Sequence, residues 1–166
     1  MPNLRLPARA AGFTLIEIVV VLAVVAILAT LALPSFQGPY VRQQVVDSAA
    51  LINVAKTAVS GRWSASGTLP ADNDEAALPP ADKLVGSYVT SVTVEAGALH
   101  VVFGNQVNGV IKGKTLSFRP AVVDSAPVVP IAWVCGHAAT PEKMSVKGAN
   151  RTDIEAKYLP LNCRSS

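Results

Sequence analysis

Histidine and cysteine are scarce in this chain: two of each occur among 166 residues, His100, His137, Cys135 and Cys163. A structural zinc site needs about four ligands, and although His137 follows Cys135 closely, no cluster supplies the rest. His100 falls in an extended, apolar stretch, where a surface or edge position is expected rather than a catalytic base. Neither a glycine-rich phosphate loop nor a nucleophile elbow is present, so no catalytic residue, metal or cofactor is indicated and an enzyme is not expected. Charge is also sparse. Only 15% of residues are Asp, Glu, Lys or Arg, and the formal net charge is +3, which gives no whole-chain case for a nucleic-acid partner.

What the sequence has instead is one long apolar run. Residues 13–33 are apolar apart from Thr14, Glu17 and Thr30. As a helix these 21 residues span about 31 Å at ~1.5 Å each, close to a ~30 Å hydrocarbon core. Arg5 and Arg9 precede the run, so the positive-inside rule leaves the N-terminus in the cytoplasm and sends the remainder across. On that outer side two cysteines are free to form a disulfide, whose loop closure stabilises a fold by roughly 3–4 kcal/mol on the chain-entropy model. The same residues also fit a secretory signal peptide, with Thr30 and Ala32 as small residues near a cut. The length of the run and the unpartnered Glu17 count against that alternative.

The stretch Gly12-Phe13-Thr14-Leu15-Ile16-Glu17, followed by the apolar run and Pro34, resembles the processing signature of type IV pilins. The resemblance implies that residues 1–12 are a leader, cut between Gly12 and Phe13 by a prepilin peptidase, and that Phe13 is then N-methylated. It implies that 13–34 remain as a transmembrane and polymerisation helix, and that Glu17 acts in assembly by meeting the new ammonium at Phe13. It also implies an inner-membrane precursor with a periplasmic domain, pilus assembly machinery as a partner, and a cell-surface filament serving adhesion, twitching motility or DNA uptake.

Beyond the run, Pro34, Gly38 and Pro39 predict a kink or local melting of the helix, since proline removes a hydrogen bond and clashes with the preceding turn. Val41, Val45, Ala49, Ile52, Ala55 and Val59 recur at three- and four-residue spacing, which predicts an amphipathic helix to about residue 60, with Gly61 as its stop. Residues 61–86 read as a long loop. Within it Asp72-Asn73-Asp74-Glu75 lacks the spacing of a calcium loop and reads as a solvated acidic turn. Tyr88–Glu95, Leu99–Phe103, Thr115–Arg119 and Ile131–Cys135 read as four strands of an antiparallel meander covering the helix.

The predicted fold is therefore α+β: a long N-terminal helix packed on a four-stranded antiparallel sheet over 87–135, with an extracytoplasmic globular domain from 35 to 166. Tyr88 at the first strand, Trp133-Val134-Cys135 in the fourth and the ending Tyr158-Leu159-Pro160-Leu161-Asn162-Cys163-Arg164 resemble the type IVa pilin domain. That resemblance implies a Cys135–Cys163 disulfide enclosing the segment 135–163, known in pilins as the D-region.

Two further readings remain at this level. Lys143, Lys147, Arg151, Lys157 and Arg164 gather near the C-terminus and would serve a DNA-binding minor pilin if they shared one face, although Glu142, Asp153 and Glu155 offset part of the charge and Tyr158 alone offers stacking. A type II secretion pseudopilin shares the N-terminal signature; the C-terminal cysteine pair argues for a pilin instead.

Overall fold

The computed structural model describes residues 12–32 and 37–165. Two units are distinguished, one up to Gln37 and one from Gly38 onward. The first contains helix α1, Leu15–Ala32. Its start is fixed locally: the Glu17 amide donates to the Thr14 hydroxyl at 3.3 Å, and the Ile18 amide donates to the Thr14 carbonyl at 3.3 Å. Thr14 thus caps the helix and satisfies one of the four amides that a helix N-terminus leaves without partners.

Helix α2, Gln37–Asp47, starts at that boundary, and α3, Ala49–Ser66, follows in the second unit. Gly38 and Pro39 do not break a helix. They lie in the first described turn of α2, and the helix continues past them to Asp47. The kink expected at Pro34 lies outside the described residues. Between α2 and α3 the Ser48 hydroxyl donates back to the Gln44 carbonyl at 2.9 Å, an internal bond that bends helices.

Gly61 does not end α3. A glycine in a helix interior costs only about 1 kcal/mol relative to alanine, and two residues later Trp63 is buried, which outweighs it. The stop is Gly67, whose φ of 68° lets its amide reach the Trp63 carbonyl at 2.8 Å. Of the apolar positions expected to face the core, Val41, Val45, Ile52, Ala55 and Val59 are buried; Ala49 is partly so.

The sheet is antiparallel, in the order β1 (Val89–Glu95), β2 (Ala98–Phe103), β3 (Thr115–Val122), β4 (Ala132–Cys135). A fifth strand, β5 (Ser145–Val146), pairs with the end of β3, through Ala121 with Val146 and Val122 with Ser145. The sheet is therefore five-stranded rather than four-stranded; a two-residue strand carries no periodicity to read. Strand β3 also runs through Pro120, which sequence placed after its end. The Pro120 carbonyl accepts the Lys147 amide at 2.9 Å, and its nitrogen faces that same side, between the last β2 partner of β3 and its first β5 partner. No ladder hydrogen bond is lost there. The core lies between α2–α3 and the sheet, with Leu99, Val101, Phe103 and Leu116 fully buried among the helix residues.

Candidate functional site

Three regions carry the chemistry. The first is α1. Phe13 is 79% exposed, and large apolar side chains from Leu15 to Leu31 are exposed on every side of the helix. A helix that is apolar all round belongs inside a protein assembly or a bilayer. Among the described residues no helix is long and apolar enough to cross a membrane; α1 spans 18 residues, or ~27 Å. Glu17 lies in its first turn, where the helix dipole favours a negative charge. Gly12 and Phe13 lie exposed just ahead of the helix.

The second region is the C-terminal loop. Cys135 and Cys163 are joined, with their Cα atoms 4.6 Å apart, and both are buried. Cys135 ends β4, and the His137 amide donates to the Cys163 carbonyl at 2.9 Å beside the bridge. The basic residues inside the loop are engaged one by one. Lys147 pairs with Asp124 at 2.8 Å, Arg151 with Glu95 at 2.6 Å and Lys157 with Glu155 at 2.8 Å. Arg164 spends its guanidinium on the carbonyls of Leu159 and Lys157, at 2.8 Å and 3.3 Å. Of the five, Lys143 alone makes neither an ion pair nor a side-chain hydrogen bond among the described residues. Two of these partners, Asp124 and Glu95, come from outside the loop, so local charge counting missed them. The Lys147 and Ser145 hydrogen bonds hold the Asp124 carboxyl below its usual range. Four of the five cations are thus engaged, which leaves no stripe of them free for DNA phosphates among the described residues.

Under that loop lies a buried polar cluster that corrects the surface position expected of His100. His100 is 3% exposed in β2, an interior strand. Its Nδ1 is 2.9 Å from the Ser117 hydroxyl, and its Nε2 is 3.6 Å from Glu95. Ser117 also accepts the Arg151 amide at 2.8 Å and donates its own amide to the Thr152 hydroxyl at 3.0 Å. Burial, and then the neighbouring Arg151, push the His100 pKa down, against the opposing pull of Glu95.

The third region is the loop between α3 and β1. Asp72-Asn73-Asp74-Glu75 is an acidic turn whose three carboxylate residues are exposed, as expected, while Asn73 is buried. Asp72 accepts the Glu75 amide at 2.9 Å and Glu75 accepts the Ala71 amide at 2.8 Å. Asn73 is buried, and its side chain bonds to Val92, Val94 and Pro79. The amides of Ala96 and Gly97 add bonds to the Ala71 and Pro70 carbonyls. The loop thereby covers the open edge of β1, a place where bare strands invite unwanted pairing.

An exposed apolar N-terminal helix, a helix-backed antiparallel sheet and a disulfide-closed C-terminal loop agree with what known proteins show. Residues 41–164 match the pilin (bacterial filament) family, and residues 7–33 match the prokaryotic N-terminal methylation motif. A fimbrial protein of Neisseria meningitidis serogroup B is 34% identical over 164 residues, covering 93% of this chain and 94% of its own length. A type IV major pilin protein of Neisseria gonorrhoeae is 36% identical over 162 residues, covering 93% and 87%. A fimbrial protein of Eikenella corrodens is 33% identical over 160 residues, covering 93% and 91%. The chain belongs to the type IV pilin family, the structural subunits of bacterial pili.

Proposed function

We propose that this chain is made as an inner-membrane precursor and polymerises through residues 13–34 into a surface pilus. Residues 1–12 are the leader that a prepilin peptidase removes, cutting between Gly12 and Phe13, and Phe13 is then N-methylated. The domain from residue 35 stays outside the cytoplasm and forms the outer shell of the filament. Inner-membrane assembly machinery supplies the energy for extraction, because leaving the bilayer unaided is steeply uphill for an apolar helix.

The observation that carries this reading is the exposure of α1 on all its faces, with a single carboxylate, Glu17, in its first turn. Lipid satisfies the apolar faces of a lone subunit, and neighbouring α1 helices replace lipid in a filament. Cleavage ahead of Phe13 frees an ammonium about four residues, roughly 6 Å of helix, from Glu17. A subunit entering the stack brings its ammonium to a neighbour's Glu17, so that each desolvated charge finds its opposite. Replacing Glu17 with Ala tests this: the variant stays membrane-bound and is absent from sheared filaments. Filaments of normal yield from Glu17→Ala would remove the charge-pairing role.

A further inference from the structure

On α3, Lys56 sits in an unusual position for a lysine. Its ammonium is 4.3 Å from the centre of the Phe118 ring and 5.7 Å from that of Trp133. It borders a cleft of about 220 Å³ lined by Val46, Ile52, Asn53, Phe118, Pro160 and Asn162. Val46, which lines the cleft, is 50% exposed, and Leu161, between Pro160 and Asn162 in sequence, is 81% exposed. Among the described residues no carboxylate lies within salt-bridge distance of Lys56. Burial pushes its pKa down, as expected of a cation that has given up water without gaining an anion. Aromatic faces compensate only in part. A carboxylate arriving from outside would complete the site, in surroundings where an ion pair is screened less than on open surface.

The complementary group lies on the same chain, at the other side of the sheet. The cleft abuts Phe118 of β3, with Trp133 of β4 across the Lys56 ammonium, while the acidic turn is docked on the free edge of β1 by Asn73. In that turn the Asp72 and Glu75 carboxylates are occupied by backbone amides. Asp74 is exposed, and its carboxylate makes no hydrogen bond or ion pair among the described residues. Two unlike, complementary patches, one by β3 and β4 and one on the β1 edge, make a head-to-tail contact. Such a contact propagates from copy to copy instead of closing into a symmetric dimer.

We propose that the Lys56 cleft of one subunit receives the acidic turn of a second copy, with Asp74 pairing with Lys56 and the turn covering Val46 and Leu161. The inference rests on the filament reading above and adds to it a contact between globular domains. The test is zero-length carbodiimide crosslinking of intact filaments, followed by mass spectrometry of the dimer band from a denaturing gel. The expected result is a peptide joining Lys56 to Asp74, absent from monomers dispersed in detergent. Asp74→Lys is expected to lower filament yield with the thermal midpoint of the detergent-solubilised chain level, and the swap Lys56→Glu with Asp74→Lys to restore the yield. Dimer bands in which Lys56 is joined to another residue, or to none, overturn the contact and leave the filament reading intact. Absence of this chain from any filament overturns the filament reading itself.

Discussion

Asn73 Oδ1 accepts the Val94 amide at 2.7 Å, while its Nδ2 donates to the Val92 carbonyl at 3.0 Å. A side-chain amide thus stands where the next strand of the sheet would be. The same nitrogen donates to the Pro79 carbonyl at 3.0 Å, so one residue ties the α3–β1 loop to itself and to β1. This tie holds both the edge strand and the acidic turn in place.

Replacing Asn73 with Ala leaves a buried amide and two carbonyls without this partner. We predict a loss of about 2–4 kcal/mol, since each unsatisfied buried group costs about 1–3 kcal/mol and nearby water recovers part of it. Denaturant unfolding of the detergent-solubilised chain measures it. A loss under ~0.5 kcal/mol would show that the loop does not depend on Asn73.

The disulfide closes a loop with a sequence separation of 28. On the chain-entropy model its removal costs about 3–4 kcal/mol. We expect the Cys135→Ser, Cys163→Ser double variant to unfold at correspondingly lower denaturant and to be cut by protease between residues 136 and 162. An unchanged midpoint would mean that the hydrogen bonds to Ser117 and Pro120 hold the loop by themselves.

Acid should weaken the domain through His100. The ring is 3% exposed, with Nδ1 2.9 Å from the fully buried Ser117 hydroxyl and Nε2 3.6 Å from Glu95. Since the folded pKa is lowered, the unfolded chain binds the proton first, near its ordinary value of ~6.5. Below that pH the unfolded state holds more protons and stability falls as pH falls, until the lowered folded value is passed; above about pH 7 this group contributes no slope. His100→Gln should flatten that part of the stability profile. A profile just as steep in the variant would assign the acid sensitivity to the carboxylates.

Gly148 has a φ of 77°, and a Cβ placed there would sit 2.5 Å from the Ala98 side chain. Gly148→Ala therefore combines left-handed strain of about 1–2 kcal/mol with an overlap that β2 cannot relieve cheaply. We predict a destabilisation of at least ~2 kcal/mol, read as a fall in thermal midpoint. A smaller change would mean that the loop carrying Arg151 shifts freely from the sheet.

Sequence made legible whatever repeats or is chemically distinctive. The apolar run, the buried face of Val41, Val45, Ile52, Ala55 and Val59, and four strands were all readable, because each depends on periodicity over many residues. The ends of elements were less so. Gly61 and Gly67 are alike as helix stops in sequence, and only the burial of Trp63 between them decides. Thr14-Leu15-Ile16-Glu17 did carry a readable signal, the spacing of a capping box, and Thr14 does cap the Glu17 amide. Long-range polar contacts left no trace: Asn73 with Val94, Arg151 with Glu95 and Gln44 with Asn108 join residues 21, 56 and 64 positions apart. The basic loop looked free because two of its acidic partners, Asp124 and Glu95, lie outside it.

The central claim is that the apolar helix begins at Phe13 and is retained. Intact-mass and N-terminal fragment spectra of filaments purified from native cells test it most directly. The account predicts a chain starting at N-methylated Phe13, with Cys135 and Cys163 oxidised. A mature chain starting downstream of Ala32, with the apolar segment gone, would contradict it.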